Sequence, residues 1–315
     1  YVGMIPAVTG ATGQGIPAVL SYLWVVAGSN GELYTSTSTT LANGSWTSRT
    51  SSFGADTILG VASNGTNLYV AVGGNGKLAT SPDGITWTQQ TSSFGTDNIQ
   101  SVAYGNGYWV ATGNAAKVAY STDGVTWTQK TTGISGTVSK VAWGNGVWVI
   151  GNSTGSFYTA TDPTSTWTAR TSTLGATSDI LYFKGQSIWV AGSDTGTTGA
   201  LASSTDGLTW TARTSAISVN STNVKFAANT TVVTALTPDG SLTVDIQSST
   251  NGTSWTNRTP ALTSSLAYWG MSDDAGLMVF NGFQTSTDGT TWSSRTQPSS
   301  NVTCGTHSTG TPSLR

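Results

Sequence analysis

A seven-residue stretch, Ser121-Thr122-Asp123-Gly124-Val125-Thr126-Trp127, returns along the chain and constrains its fold more than any other feature. It recurs at Ser81–Trp87, Ser204–Trp210, Ser249–Trp255 and Ser286–Trp292, with looser copies ending on Trp46 and Trp167. The seven closing tryptophans are 41, 40, 40, 43, 45 and 37 residues apart. A period near 40 with one aromatic turn per copy marks a propeller or solenoid, whose units bury their apolar faces only against neighbours. Seven copies consume nearly all of the 315 residues, so one closed domain is expected rather than two.

The copy from Ile99 to Thr131 divides into four short strands: Gln100–Tyr104, Tyr108–Thr112, Lys117–Tyr120 and Thr126–Thr131. Gly105-Asn106-Gly107 and Gly113-Asn114-Ala115 separate the first three, and Asp123-Gly124 precedes the fourth. Four antiparallel strands joined by tight turns make one propeller blade. The first copy lacks a first strand and opens on Leu23–Gly28, whereas Asn301-Val302-Thr303-Cys304-Gly305 after the last tryptophan matches Ser101–Gly105. The C-terminal strand is therefore expected to complete the first blade and remove the open edges of the array. The fold class expected is all-β: a seven-bladed β-propeller over 18–305, with an N-terminal arm at 1–17 and a C-terminal tail at 306–315.

Only 8% of residues are charged, against about 25% in an average soluble protein, so Ser, Thr, Asn and Gly must build the surface. Net charge is -2 and the basic residues stand singly, which gives no footprint for nucleic acid. No apolar run near 18 residues suits membrane insertion. The one cysteine, Cys304, has no partner for an internal disulfide, so packing and closure must supply stability.

The repeated turn has a local logic. Gly supplies a positive φ, Asp accepts turn amides, and Ser and Thr hydroxyls complete the network while Trp packs inward. This motif resembles the Asp box, or BNR repeat, of sialidase-like and related β-propellers, over residues 21–305. It departs from the usual box in having Asp123 and Gly124 adjacent, as at Asp83-Gly84, Asp206-Gly207 and Asp288-Gly289; Asn251-Gly252 takes the same place in the sixth copy. The resemblance implies a structural role at the blade periphery for these residues and for Trp87, Trp127, Trp210, Trp255 and Trp292.

A sialidase would need an arginine triad, a tyrosine–glutamate pair and an acid. Arg49, Arg170, Arg213, Arg258 and Arg295 instead all sit three residues after a box tryptophan, a repeat position on the outer strand. Glu32 is the single glutamate, and no pair of carboxylates stands out for glycoside hydrolysis. His307 near Cys304 lacks a third ligand or orienting acid and reads as a tail histidine. Asp273-Asp274, Asp239 and Asp194 read as turn residues rather than a calcium site. No cofactor and no metal are expected.

The second-strand aromatics Trp24, Tyr69, Trp109, Trp148 and Trp189 recur too regularly for a sugar platform and are expected between blades. Ligand binding would fall to the loops between strands two and three and between blades, with Lys77, Lys117, Asp194 and Asp239 as candidates. The leading expectation is a non-catalytic propeller of an extracellular or virion surface, resembling parts of phage tail fibres and bacterial surface proteins. Its partner would be a glycan or cell-surface receptor. The alternatives are a divergent glycoside hydrolase and a purely structural subunit that binds its neighbours in an assembly.

Overall fold

The computed structural model describes residues 23–308, except 39–40, 42–44, 173, 194–200, 215–222, 239–242, 264–269, 273–276, 281–283, 297 and 300–301. The arm at 1–17, Asp194, Asp239, Asp273 and Asp274 lie outside the described residues.

Among the described residues, twenty-eight strands form seven four-stranded antiparallel sheets. Blade 3 is representative: Ile99–Gly105, Tyr108–Gly113, Val118–Ser121 and Thr128–Lys130 lie side by side in chain order. Its first hairpin turns on Asn106 and Gly107, with φ of 50° and 80°, the paired positive angles that make a two-residue turn follow the strand twist. The fourth strand starts at Thr128, after the tryptophan, because the box turn occupies everything from Asp123 to Trp127.

The innermost strands of successive blades adjoin one another around a full ring. Closure occurs in blade 1, where Val302–Ser308 pairs antiparallel with Leu23–Gly28. This strand runs past the expected boundary at 305. Thr306, His307 and Ser308 continue its ladder, and His307 pairs with Trp24 rather than trailing in a tail.

Each blade boundary holds its own apolar core. Leu23 and Val25 of blade 1 pack with Phe53, Tyr69 and Trp87 on the blade 2 side, and Val70 and Val72 pack with Phe94 and Trp109 toward blade 3. The same arrangement continues through Trp148, Trp189 and Phe226 to Trp24, which meets Leu277 and Val279 of blade 7. Trp24, Trp109, Trp148 and Trp189 are at most 1% exposed, so these aromatics are inter-blade packing and offer no stacking surface. The second strands can face two neighbours because alternate residues point to opposite sides of a strand.

Candidate functional site: the axial channel

The complete box turns share the bonds accepted by the Asp or Asn side-chain oxygen, and at Trp87, Trp127 and Trp210 an indole N–H also donates to the glycine carbonyl. In blade 3 the Oδ1 of Asp123 accepts the amides of Val125 and Thr126 at 2.8 and 2.7 Å and the Ser121 hydroxyl at 2.9 Å. The Trp127 indole N–H donates to the Gly124 carbonyl at 2.9 Å. Asp83, Asp206 and Asp288 repeat the carboxylate arrangement, and Asn251 reproduces it with its amide oxygen. The Thr126 and Val125 amides hold the Asp123 carboxyl at about 2. The amide of Thr209 acts likewise on Asp206 and that of Thr291 on Asp288, and both lie below the usual carboxylate range. At Asp83 burial is the largest influence and opposes the shift, yet the amides of Thr86 and Ile85 and the Ser81 hydroxyl together hold it low.

Gly124, at φ +74°, sits so close to the preceding blade that a Cβ would come within 2.8 Å of Leu68. Gly84, Gly207, Gly252 and Gly289 press on the preceding blade in the same way, through Leu23, Val147, Ile188 and Val232. The turn is therefore a rivet between blades as well as a cap on its own.

The two lysines expected to face a ligand are held in a second set of rivets. Lys77 donates to the Phe53 carbonyl at 2.7 Å and pairs with Asp56 at 2.7 Å; Lys117 does the same with Phe94 and Asp97 at 2.8 Å each. Lys77 and Asn75 together keep the Asp56 carboxyl below its ordinary value. These bonds fasten the turn between strands two and three to the incoming connection from the previous blade, whose Phe53 or Phe94 is buried in the core. Arg49, Arg170, Arg213, Arg258 and Arg295 each donate through Nε to a hydroxyl of the neighbouring third strand: Thr35, Thr159, Ser203, Ser248 and Thr285. They are spread over five blades and do not converge.

Charge gathers instead at the axis. The first halves of six inner strands wall a cavity of about 530 Å³. In blades 1 to 5 the ladder between the first and second strands slips by one residue, leaving Thr303, Leu59, Gln100, Ser139 and Ser178 without a partner. Such bulges re-aim side chains, and here all five line the channel. The residues that follow them are Cys304, Gly60, Ser101, Lys140 and Asp179; blade 6, whose ladder does not slip, places Lys225 there.

Inner strands of neighbouring blades diverge and leave backbone groups to be satisfied by side chains. Thr303 donates to the Ile58 carbonyl, Ser101 accepts the Val141 amide, and Ser178 donates to the Val224 carbonyl. Asp179, 7% exposed, accepts the Ile180 amide at 3.1 Å and the Phe226 amide of the next blade at 2.9 Å. Lys140 approaches the same carboxylate at 3.3 Å, and Lys225 donates to the Ser178 carbonyl at 2.9 Å. Burial pushes the Cys304 thiol up to about 12, so it stays protonated at neutral pH. The described lining lies toward the face where blade-to-blade connections arrive, since the Gln100 side chain reaches Asn114 in the turn on that face.

No family model and no curated protein matches the chain. Solved structures do resemble it. YCF48 bound to D1 peptide is 20% identical, with 76% of this chain and 82% of that one covered at a TM-score of 0.55. YCF48 from Cyanidioschyzon merolae is 16% identical, with coverage of 77% and 85% at 0.54. A chain of the nidogen/laminin complex is 7% identical, with coverage of 91% and 98% at 0.56. These likenesses are of fold.

Sequence reasoning passed over Lys140, Asp179 and Lys225. A signal was available: the residue before each Val-Ala pair of strand one is Gly60, Ser101 and then Lys140, and Asp179 follows at the same interval. In a chain so poor in charge, ionised residues at one repeat position are conspicuous once the copies are aligned.

Proposed function

We propose that this chain is a non-catalytic binding propeller of an extracellular or virion surface, which captures a protein partner at the mouth of its axial channel. The observation that carries the reading is the contrast in charge. The rim lysines and arginines are spent on fastening the fold, while Lys140, Asp179 and Lys225 gather around a cavity. Fold neighbours favour a protein partner: one is solved with the D1 peptide and another in the nidogen/laminin complex. The Asp-box resemblance and the Ser/Thr-rich, charge-poor surface support display outside the cell, as in tail fibres and adhesins. Glycoside hydrolysis asks for two placed carboxylates; in the described channel wall Asp179 is alone and committed to two amides. Glycan capture is the weaker reading, because the described wall contains no Trp or Tyr on which a sugar ring could stack.

The test is a displayed peptide library and a glycan array, both screened against the purified chain. Selected peptides are expected, with few or no glycan hits. Selective glycans without peptides would turn the assignment to a lectin. Blank results from a folded protein on both would sink capture and leave a subunit that binds only its neighbours.

A further inference from the structure

We propose that an aromatic arc on the face of the first hairpins seats the chain's own N-terminal segment, through the motif Ile-Pro-Ala-Val that the segment carries at 5–8 and again at 16–19. This face lies opposite the bulged strand ends, and nothing at it depends on capture at the channel. Tyr104, Trp143 and Tyr182 stand near the ends of the innermost strands of three successive blades. Each pairs with the tryptophan of its own second strand, with ring centroids 4.9, 5.1 and 5.0 Å apart at 52°, 51° and 52°. A Cβ on Gly105 would strike the Trp143 ring, and one on Gly144 the Tyr182 ring, so these two rings also lean on the blade before them. All three rings are still only half-buried, and their O–H and N–H groups have no hydrogen-bond partner among the described residues.

Chain direction, charge and repetition name the occupant. Leu23 pairs with Ser308 as Tyr108 pairs with Gly105, so the N-terminal segment joins the propeller on the face where the arc stands. The chain between Val8 and Leu23 can span up to about 50 Å, beyond the roughly 30 Å width of a small domain. The described first hairpins of blades 2 to 6 hold one ionised group, Lys184, and residues 1–22 hold none, so little solvated charge is lost when the two meet. Box carboxylates such as Asp123 share this face but are already held by turn amides. Of the 8 prolines in the chain only Pro6 and Pro17 follow an isoleucine, and both continue with Ala-Val. An Ile-Pro step favours extended backbone whose carbonyls are left unpaired. The Trp143 indole and the two tyrosine hydroxyls can donate to such carbonyls, while Ile, Pro and Val cover the exposed ring surface.

The test is amide hydrogen exchange on two full-length chains, the wild type and one carrying Ile5→Ser, Val8→Ser, Ile16→Ser and Val19→Ser together. All four positions precede the first strand, so the propeller itself is unaltered. Exchange in the variant should be about threefold faster or more at 104–107, 143–146 and 182–187, and unchanged in the box turn at 123–127. An excess of the acetylated, amidated peptide Gly-Ile-Pro-Ala-Val-Leu should restore the slower rate, and the same peptide with Ala for Pro should restore less of it. Equal exchange in the two full-length chains overturns the proposal. Faster exchange that spreads to the box turns, or that the peptide does not reverse, overturns it as well. Restoration by cellotetraose in place of the peptide would assign the rings to a neutral glycan. Protection that vanishes on dilution would overturn docking within one molecule and pass the arc to the N-terminal segment of a second copy.

Discussion

The rim and the axis of this propeller are built on the same 40-residue repeat and use it in opposite ways. At the rim the same residue returns in four of the seven copies: Asp83, Asp123, Asp206 and Asp288 accept the same pair of amides, and the glycine beside each abuts the preceding blade. At the axis the same position returns with different chemistry, running from Cys304 through Gly60, Ser101 and Lys140 to Asp179. A residue that recurs answers a need that every blade has, which is to satisfy a turn and hold a neighbour. A position that recurs with changing residues is one the fold leaves open, and there a ligand can decide what stands.

The largest effect should come from breaking the recurring part. Trp109 is 1% exposed and packs between Val70 and Val72 on one side and its own blade on the other. Trp109→Ala should cost about 3–5 kcal/mol through lost burial and a cavity, read as a fall in the urea midpoint. Lys140→Ala, in the same assay, should barely move it. If the two variants lost comparable stability, the axial network would be structural and the division between rim and axis would fail.

The next effect is a pH dependence confined to the rim. Asp123 titrates at about 2 in the fold against an ordinary value of 3.8. Its folded pKa is depressed, so its contribution is complete above about pH 4 and is lost as the pH falls through about 2. Asp83, Asp206 and Asp288 shift in the same direction and add to the decline. Asn251 supplies a natural control, since it accepts its two amides at 2.9 Å each without a charge to titrate. Urea midpoints measured from pH 5 to pH 2 should therefore fall in the wild-type chain and fall less in Asp123→Asn. Parallel curves would mean that the turn carboxylates add no acid sensitivity.

How far the sequence reaches follows the same division. Blade number, strand order and closure by the C-terminal strand were legible, because they rest on features that repeat, the box tryptophans and the Asn106-Gly107 type of hairpin. The register was not, since Val302 pairs with Gly28 as Ile99 pairs with Gly113 and so takes the place of Ile99, three residues from the expected match to Val102. The inter-blade role of Trp109 and Trp148 was legible for the same reason. The axial site was not, since its residues differ from blade to blade and their shared direction comes from a one-residue bulge that no composition or spacing announces. Lys77 and Lys117 show the converse case. Charge in a loop suggested a ligand, but their 40-residue spacing already placed them with the repeated, and hence structural, residues. Recurrence, more than charge, marks both lysines as rim residues like the arginines.

The smallest effect tests that last point. Lys77 is partly exposed and its pairing with Asp56 is screened by solvent, so the bond to the buried connection at Phe53 is the larger loss. Lys77→Ala should lower Tm by about 1–3 °C, with no change in affinity for a library-selected peptide. Lys140→Ala should give the reverse pattern, an unchanged Tm and weakened binding. The crossing of the two readouts matters more than the size of either. A rivet holds two parts of the chain to each other and a receptor group holds something else, so one substitution can leave stability intact and abolish binding only where the fold has not already used the side chain. If Lys77→Ala also weakened binding, the rim face would share in recognition, and the partner would have to span from the axis to the turn at Asn75.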